Sequence, residues 1–478
     1  MRAESAGRWC DRPRELPATF DVAQSLEAAW EVWFATQAGS EYLRRLAQHR
    51  LAGLVTTARE GASFYRNLYR GVPETGYRLS DLPVVTKGEL MMHFEDAVTV
   101  PDLTRDRVEQ FVADASRVGQ PFDHRYAVWT SSGTTGEPAT FVQDSQALAI
   151  YEALEVIRFR RLASPAMLAS AFLTDERYAL VAATGGHFAG TATAQRLRLR
   201  YPWLADRVRI FSILEPTPVL VQQLNDYQPS LLASYPTAAE LLAEEQESGR
   251  LALTLREVWT GGERLSAAQR ARITRAYGCE VHDGYGASEF LAIAWDCGHG
   301  ALHVNSDWVL LEPVDLAYRP VCPGVPSHTT LLTNLANRVQ PLIRYDLGDS
   351  ITTLDRPCGC GSVFPTIRVE GRCDDTLGVR NSAGDRVLLL PLALTTVLED
   401  EARVHRFQLV QTSPTALVLR LDPDVADTST VKRCRDSLDR FLRMQGAPNV
   451  RLDIERCSLQ RHPVSGKLRR VVAKEEVA

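Results

Sequence analysis

The chain has 478 residues, with 54 basic and 59 acidic side chains and a formal net charge of −5. That length exceeds the size at which one hydrophobic core stops growing, so two or three domains are expected. Near-balanced charge argues against nucleic acid or a membrane surface as partner, and no apolar run reaches the ~18 residues that suggest a spanning helix. Residues 1–17 are polar and Arg-rich without an apolar targeting core, and the nine cysteines are odd in number and mostly isolated, so a cytoplasmic, reducing setting and a small soluble partner are expected.

Residues 22–72 carry apolar side chains at helical spacing (Leu26, Ala29, Trp30, Trp33, Leu43, Leu46, Leu51, Leu54, Val55), which predicts two or three amphipathic helices. The middle of the chain alternates apolar bursts (Tyr178-Ala-Leu-Val-Ala-Ala183, Ser230-Leu-Leu-Ala-Ser234, Glu257-Val-Trp-Thr260) with helical stretches at 238–247 and 267–276. Strands alternating with helices predict an α/β fold built on mainly parallel sheets flanked by helices. From about Trp308 shorter strands follow at 308–314, 329–332 and 342–345, the pattern of a β-rich subdomain. A small α+β unit is expected from Val387 onward, with strands near 407–410 and 416–419 and a helix near 431–444. The composition shift at Gly371-Arg-Cys-Asp-Asp375 suggests a boundary there, between residues 1–373 and 374–478.

Thr130-Ser-Ser-Gly-Thr-Thr-Gly-Glu-Pro138 follows a strand-like Tyr126-Ala-Val-Trp129 and packs five hydroxyls and two glycines into nine residues. Glycine lets backbone approach a ligand closely, and amide and hydroxyl donors suit phosphate oxygens. No Gly-Lys-Ser/Thr closes the loop, so it is not a Walker A motif. Only Lys87, Lys432, Lys467 and Lys474 are lysines, against 50 arginines. In so Arg-biased a chain each retained lysine is a candidate for a task that needs a compact ammonium.

The loop resembles the phosphate-binding loop of the adenylate-forming superfamily of acyl-CoA synthetases, peptide-synthetase adenylation domains and luciferases. Further motifs follow in that family's order: Gly284-Tyr-Gly-Ala-Ser-Glu289, Tyr345-Asp-Leu-Gly-Asp349, Gly371-Arg-Cys-Asp-Asp375 and Gly466-Lys467. Within it the chain is most similar to the phenylacetate-CoA ligase group, through Ala62-Ser-Phe-Tyr-Arg66 and Leu79-Ser-Asp-Leu-Pro-Val-Val-Thr-Lys87.

The resemblance implies that Ser131, Ser132, Gly133, Thr134, Thr135 and Gly136 hold ATP phosphates and that Glu289 binds Mg2+. It implies that Gly261, Gly262, Glu263 and Tyr285 line the adenine, that Asp349 accepts the ribose hydroxyls, and that Asp283, Gly286, Ser288 and Arg372 belong to the nucleotide site. Lys467 would contact the acid and the α-phosphate, with Glu289 and Thr135 as the other catalytic residues, and Asp374 would be the hinge. The chemistry fits, since carboxylate attack on the α-phosphate expels pyrophosphate and needs its charge neutralised. Two departures stand out. Glu137 replaces the family's usual loop lysine, and Val379-Arg-Asn-Ser-Ala-Gly-Asp-Arg386 differs from the Gly-x-x-Val/Ile-x-Pro stretch that in relatives shapes the thioester-forming state.

Cys297, His303, Cys358 and Cys360 offer three thiolates and an imidazole, the donor set of a closed structural Zn2+ site, with His299 as the alternative nitrogen ligand. The acyl pocket is expected to be lined by Gly186, His187, Phe188 and Gly284, with the rings fitting an aromatic or heteroaromatic acid. The expected activity is ATP-dependent acyl-adenylate formation followed by transfer to a thiol of CoA or of an acyl carrier protein. Transfer to an amine, as in natural product biosynthesis, and a non-catalytic nucleotide-binding role remain as alternatives, and a homodimer is left open.

Overall fold

The computed structural model describes residues 22–131, 139–159, 176–370, 376–423, 426–459 and 470–473. Helices α1 (Val22–Gln37) and α2 (Ser40–Gly61) form where the apolar spacing predicts them. The buried face of α2 runs Leu43, Ala47, Leu51, Leu54, Val55 and Ala58, a three-to-four repeat that makes one stripe. Arg50 shares that face. Its guanidinium stacks 3.2 Å from the Trp308 ring centre and donates to Glu31 at 2.7 Å. Asp307, wholly buried, lies 3.8 Å from Arg50 and 2.7 Å from the equally buried Arg158. Deleting one member of such a cluster strands a charge out of water, at about 3–5 kcal/mol.

Strands β1 (Ala127–Thr130) and β2 (Thr140–Gln143) form an antiparallel hairpin around the hydroxyl-rich loop. The main sheet takes β3 (Tyr178–Ala182), β4 (Val208–Ser212), β5 (Leu231–Ser234), β6 (Glu257–Gly261), β7 (Glu280–Ala287), β8 (Phe290–Asp296) and β9 (Leu302–Val304). A three-stranded sheet follows from β10 (Val309–Val314), β11 (Thr329–Asn334) and β12 (Tyr345–Asp346), after which β13 (Ile351–Leu354) and β14 (Thr366–Val369) return to the main sheet. Its order is β13-β14-β9-β8-β7-β6-β5-β3-β4, nine strands in all. Those from β4 to β7 are parallel and joined through helices, whereas β7 to β13 are antiparallel. The predicted α/β class therefore holds, with the strand-rich portion beginning at β8.

The predicted strand 342–345 shrinks to Tyr345–Asp346. Arg344 takes φ +49°, which breaks the extended run, and its guanidinium is held by Glu312 at 2.9 Å. Beyond residue 375, β15 (Leu377–Arg380) and β16 (Arg386–Leu389) form a hairpin from the segment that departs from the family pattern. Its turn is fixed by Asn381, whose side-chain oxygen accepts from Ala383 and Asp385, and by Gly384 at φ +89°. The last sheet runs β19 (Arg451–Arg456), β18 (Ala416–Leu421), β17 (Phe407–Ser413), β20 (Val471–Val472). Helix Thr428–Met444 covers it with Cys434, Leu438, Phe441 and Leu442, capped by Asp427, whose side chain accepts from the Thr430 amide at 2.6 Å.

Two large apolar cores result, with a small third cluster of Ala35, Leu43, Trp295 and Phe364. One joins α1, α2 and the β1–β2 hairpin to the inner faces of β8 and β11. The other runs from Ala179 through the helices over the parallel strands to Val471, so the C-terminal unit packs directly on the parallel half of the sheet. Gln445 crosses between them, donating to the Leu214 carbonyl at 2.8 Å. Among the described residues no helix is long and apolar enough to cross a membrane.

Candidate active site

The loop predicted to cradle phosphate leaves the sheet at the carboxyl end of β1, and its neck is closed by two bonds. The Ser131 amide donates to the Ala139 carbonyl at 2.8 Å, and the Ala139 amide donates to Ser131 Oγ at 3.1 Å. Ser132, Gly133, Thr134, Thr135, Gly136 and Glu137 lie outside the described residues, as do Arg372, Asp374 and Lys467. Both sides of the neck are braced. The Thr130 amide donates to the His187 carbonyl at 2.8 Å, while Trp129 Nε1 donates to the Ser288 carbonyl at 2.7 Å. Ser288 Oγ reaches the Thr130 carbonyl at 3.4 Å, so Ser288 positions the loop rather than presenting a free hydroxyl.

Lys87 sits at the start of helix Lys87–Met92, which Thr86 and Glu89 cap reciprocally. Its ammonium donates to Ser131 Oγ at 3.2 Å and faces Glu289. Glu289 is only 5% exposed. Burial pushes its carboxyl above the usual range, partly opposed by Lys87, and the buried Tyr345 phenol stands beside it without a well-formed hydrogen bond. The Glu289 carbonyl accepts from Asn334 at 2.9 Å, which anchors the residue to β11. The sequence reading did not place Lys87 or Tyr345 in the site. Lysine scarcity and the closing position of the Leu79–Lys87 signature were the signals for Lys87, and Tyr345 was visible only as part of its motif.

Across the sheet end, the Tyr285 hydroxyl donates to Asp349 Oδ2 at 2.9 Å, uniting the residues expected at adenine and ribose. Gly261 pairs in register with Gly284, and a Cβ on Gly261 would stand 3.2 Å from the Gly284 carbonyl. Gly262 takes φ +78° against the Tyr235 ring. Glu263 is turned away: its Oε2 accepts from the amide and hydroxyl of Thr237, in the first turn of helix Pro236–Glu247. Gly286 has no alternative, because a Cβ there would fall 2.0 Å from the Leu291 carbonyl oxygen. Asp283 accepts from the Thr260 hydroxyl at 2.9 Å, and burial raises its carboxyl to about 6.

The residues expected around the acyl pocket fall into two settings. The His187 ring, 1% exposed, packs 5.0 Å from Phe111 and contacts the Asp114 carbonyl through Nε2 at 3.1 Å. Its imidazole belongs to the core because Phe111 fills the space beside it, and burial lowers its pKa. Its neighbours behave differently: the Phe188 ring edge lies over Gly186, and the Phe159 ring lies over Gly284, where a Cβ would be 2.7 Å away. Phe159 was not anticipated, since nothing in sequence links residue 159 to residue 284.

Cys297, His303, Cys358 and Cys360 converge, their ligand atoms all within 4.8 Å of one another. Cys297 Sγ is 3.4 Å from Cys358 Sγ, and Cys360 Sγ is 3.2 Å from His303 Nε2. Zn–S bonds of about 2.3 Å at tetrahedral angles give edges of about 3.8 Å, so the four donors span one ion. His303 Nδ1 meets the Phe364 carbonyl at 3.0 Å, the partner that fixes a metal-binding tautomer. His299 instead contacts the Cys297 carbonyl through Nδ1, and it is His303 that joins the three cysteines.

The AMP-binding enzyme family matches residues 78–322, just over half the chain. A phenylacetate-coenzyme A ligase of Thermus thermophilus is 27% identical over 355 residues, 71% of this chain and 72% of that protein. Protein CapK of Staphylococcus aureus is 24% identical over 135 residues, 27% of this chain and 28% of its own. Among solved structures, a 2-hydroxyisobutyryl-CoA ligase bound to its acyl-AMP and CoA in the thioester-forming state superposes with a TM-score of 0.57 at 23% identity, covering 92% of this chain and 91% of that one. At that identity the likeness speaks for the fold. With its model matching just over half of the sequence, the chain belongs to the AMP-binding enzyme family.

Proposed function

We propose that this protein activates a carboxylic acid with ATP and passes the acyl group to the thiol of CoA. The observation that carries the reading is the convergence at the carboxyl ends of β1, β6 and β7 of two half-sites. Lys87, Ser131 and Glu289 form the phosphate side, and Tyr285, Asp349 and the Gly261–Gly262 backbone form the nucleoside side. Open α/β sheets bind ligands at this edge. The relatives' names, a phenylacetate-CoA ligase and a 2-hydroxyisobutyryl-CoA ligase, favour an acid substrate and CoA.

In the first step an acid oxygen bonds to the α-phosphorus and the bond to the bridging oxygen breaks, releasing pyrophosphate. Lys87 supplies a cation at the neck of the loop, whose sequence carries Glu137 in place of the family's lysine. Glu289 would hold Mg2+, which neutralises phosphate charge when bound. Lys467, on the unit at 374–478, would reach the acid and α-phosphate, with Asp374 as the hinge and Arg372 beside the nucleotide. Phe159 and Phe188, one ring over each of two pocket glycines, favour an aryl or heteroaryl acid. Cys297, His303, Cys358 and Cys360 would hold Zn2+ with no open position, tying β8 and β9 to the loop that leads into β14.

The test is acid-dependent exchange of pyrophosphate into ATP across a panel of acids, followed by thioester formation on adding CoA. No exchange with any acid, or unchanged exchange in both Lys467→Ala and Glu289→Ala, would sink adenylation. Exchange without thioester would move the acceptor to a carrier-protein thiol or an amine.

A further inference from the structure

The C-terminal unit brings an acidic side chain to the loop after β3, where Gly186 is one of the residues expected to line the acyl pocket. Asp400 lies in the helical turn Val397–Glu401, whose Val397 and Leu398 are buried in the second core. Its carboxyl faces the loop after β3. A Cβ built on Gly186 would stand 3.4 Å from Asp400 Oδ2 and 3.2 Å from two carbons of the Phe188 ring. Gly185, at φ +96°, has open space where a Cβ would stand, so the backbone beside the carboxyl is bare there. The next residue is His187, whose carbonyl accepts from Thr130 at the neck of the phosphate loop.

Asp400 Oδ2 is buried and has no hydrogen-bond partner among the described residues. Buried polar atoms are nearly always paired, so an unpaired one asks for a group that arrives with a ligand. The surrounding charges do not supply it. Glu399 is bonded to Arg470 and lies 3.9 Å from His405, Glu401 lies 3.3 Å from Arg440, and on the facing loop the His187 ring is turned toward Phe111 and Asp114. Burial first, then the Glu399 and Glu401 charges, opposed by Arg403 and His405, raise the Asp400 carboxyl to about 6. A base titrating there is stronger than an ordinary carboxylate yet still ionised near neutrality.

We propose that Asp400 is the base that takes the thiol proton in the second half-reaction, a role that rests on the thioester-forming reading above. The sulfur lone pair bonds to the acyl carbonyl carbon as the S–H proton passes to Asp400 Oδ2. Collapse of the tetrahedral adduct breaks the bond from that carbon to the phosphate oxygen, and AMP leaves with the electron pair. Asp400 then gives its proton to water.

The test separates the half-reactions in Asp400→Asn, which keeps the side chain's shape. Pyrophosphate exchange should stay within about twofold of wild type. Single-turnover transfer from preformed acyl-adenylate to CoA should fall about 100-fold or more, the usual contribution of a positioned base. The wild-type transfer rate should climb through a pKa near 6, the Asn variant should lose that limb, and Asp400→Glu should recover part of it. Wild-type transfer with an unchanged pH profile in Asp400→Asn overturns this proposal alone. So does an equal fall in exchange and transfer, which would mark a structural role. Absence of exchange in the wild type removes the adenylation reading and this proposal with it.

Discussion

Replacing Cys358 by serine removes one corner of the Cys/His cluster, and the structure sets the size of the effect. Cys297 and Cys358 are 61 residues apart, so a metal joining them closes a long loop. Loop-closure entropy for that length is about 14 cal/mol/K, or about 4 kcal/mol at 25 °C. Spread over the unfolding entropy of a unit of about 370 residues, at about 2.1 cal/mol/K each, this lowers Tm by about 5 °C. The assay pairs metal content of protein purified without added metal with thermal melting of wild type and Cys358→Ser. About one equivalent of zinc and a drop of about 5 °C are expected. A metal-free wild type, or a variant that melts with it, would refute the reasoning.

Lys87→Ala should slow pyrophosphate exchange about 100-fold, the effect of removing one preorganised charge partner, and exchange at the wild-type rate would exclude Lys87 from the phosphate site. Tyr285→Phe removes the bond to Asp349 and should raise KM for ATP about tenfold, matching about 1.5 kcal/mol for a hydrogen bond to a charged group. Because burial raises the Glu289 carboxyl, its ionised, Mg2+-binding form should be lost on acidification at a pH above the ordinary glutamate range. Exchange should therefore rise with pH in wild type, and Glu289→Gln should be slow and flat. Asp283, raised to about 6, binds a proton more tightly folded than unfolded. Its effect lowers the unfolding free energy as pH climbs from about 4 to 6, by roughly 2 kcal/mol, and denaturation of Asp283→Asn should lack that fall.

Most of the α/β scaffold was legible because its signals are local. β3, β5 and β6 each appear as short apolar runs between helical stretches, and β17, β18 and helix Thr428–Met444 fall where periodicity put them. The strand that shortened did so for a reason no periodicity carries: Arg344 is bent to φ +49° and held by Glu312, on a strand it reaches only in the fold. Site motifs were equally legible, as short runs whose order matches a family. Their partners were not. Tyr285 meets Asp349 across 64 residues, and Lys87 meets Ser131 across 44.

By itself the sequence determined the fold class, the hydroxyl-rich loop and the set of chemical groups available. These depend on neighbouring residues and on the 2.0 and 3.6 periods of strand and helix. Only tertiary structure decided which groups meet. It turned His187 into the core beside Phe111, laid Phe159 on Gly284, chose His303 over His299, and set the Asp400 carboxyl against Gly186. Each of these contacts joins segments distant in the chain, so it is the packing of the fold, and not spacing along the sequence, that selects the neighbours.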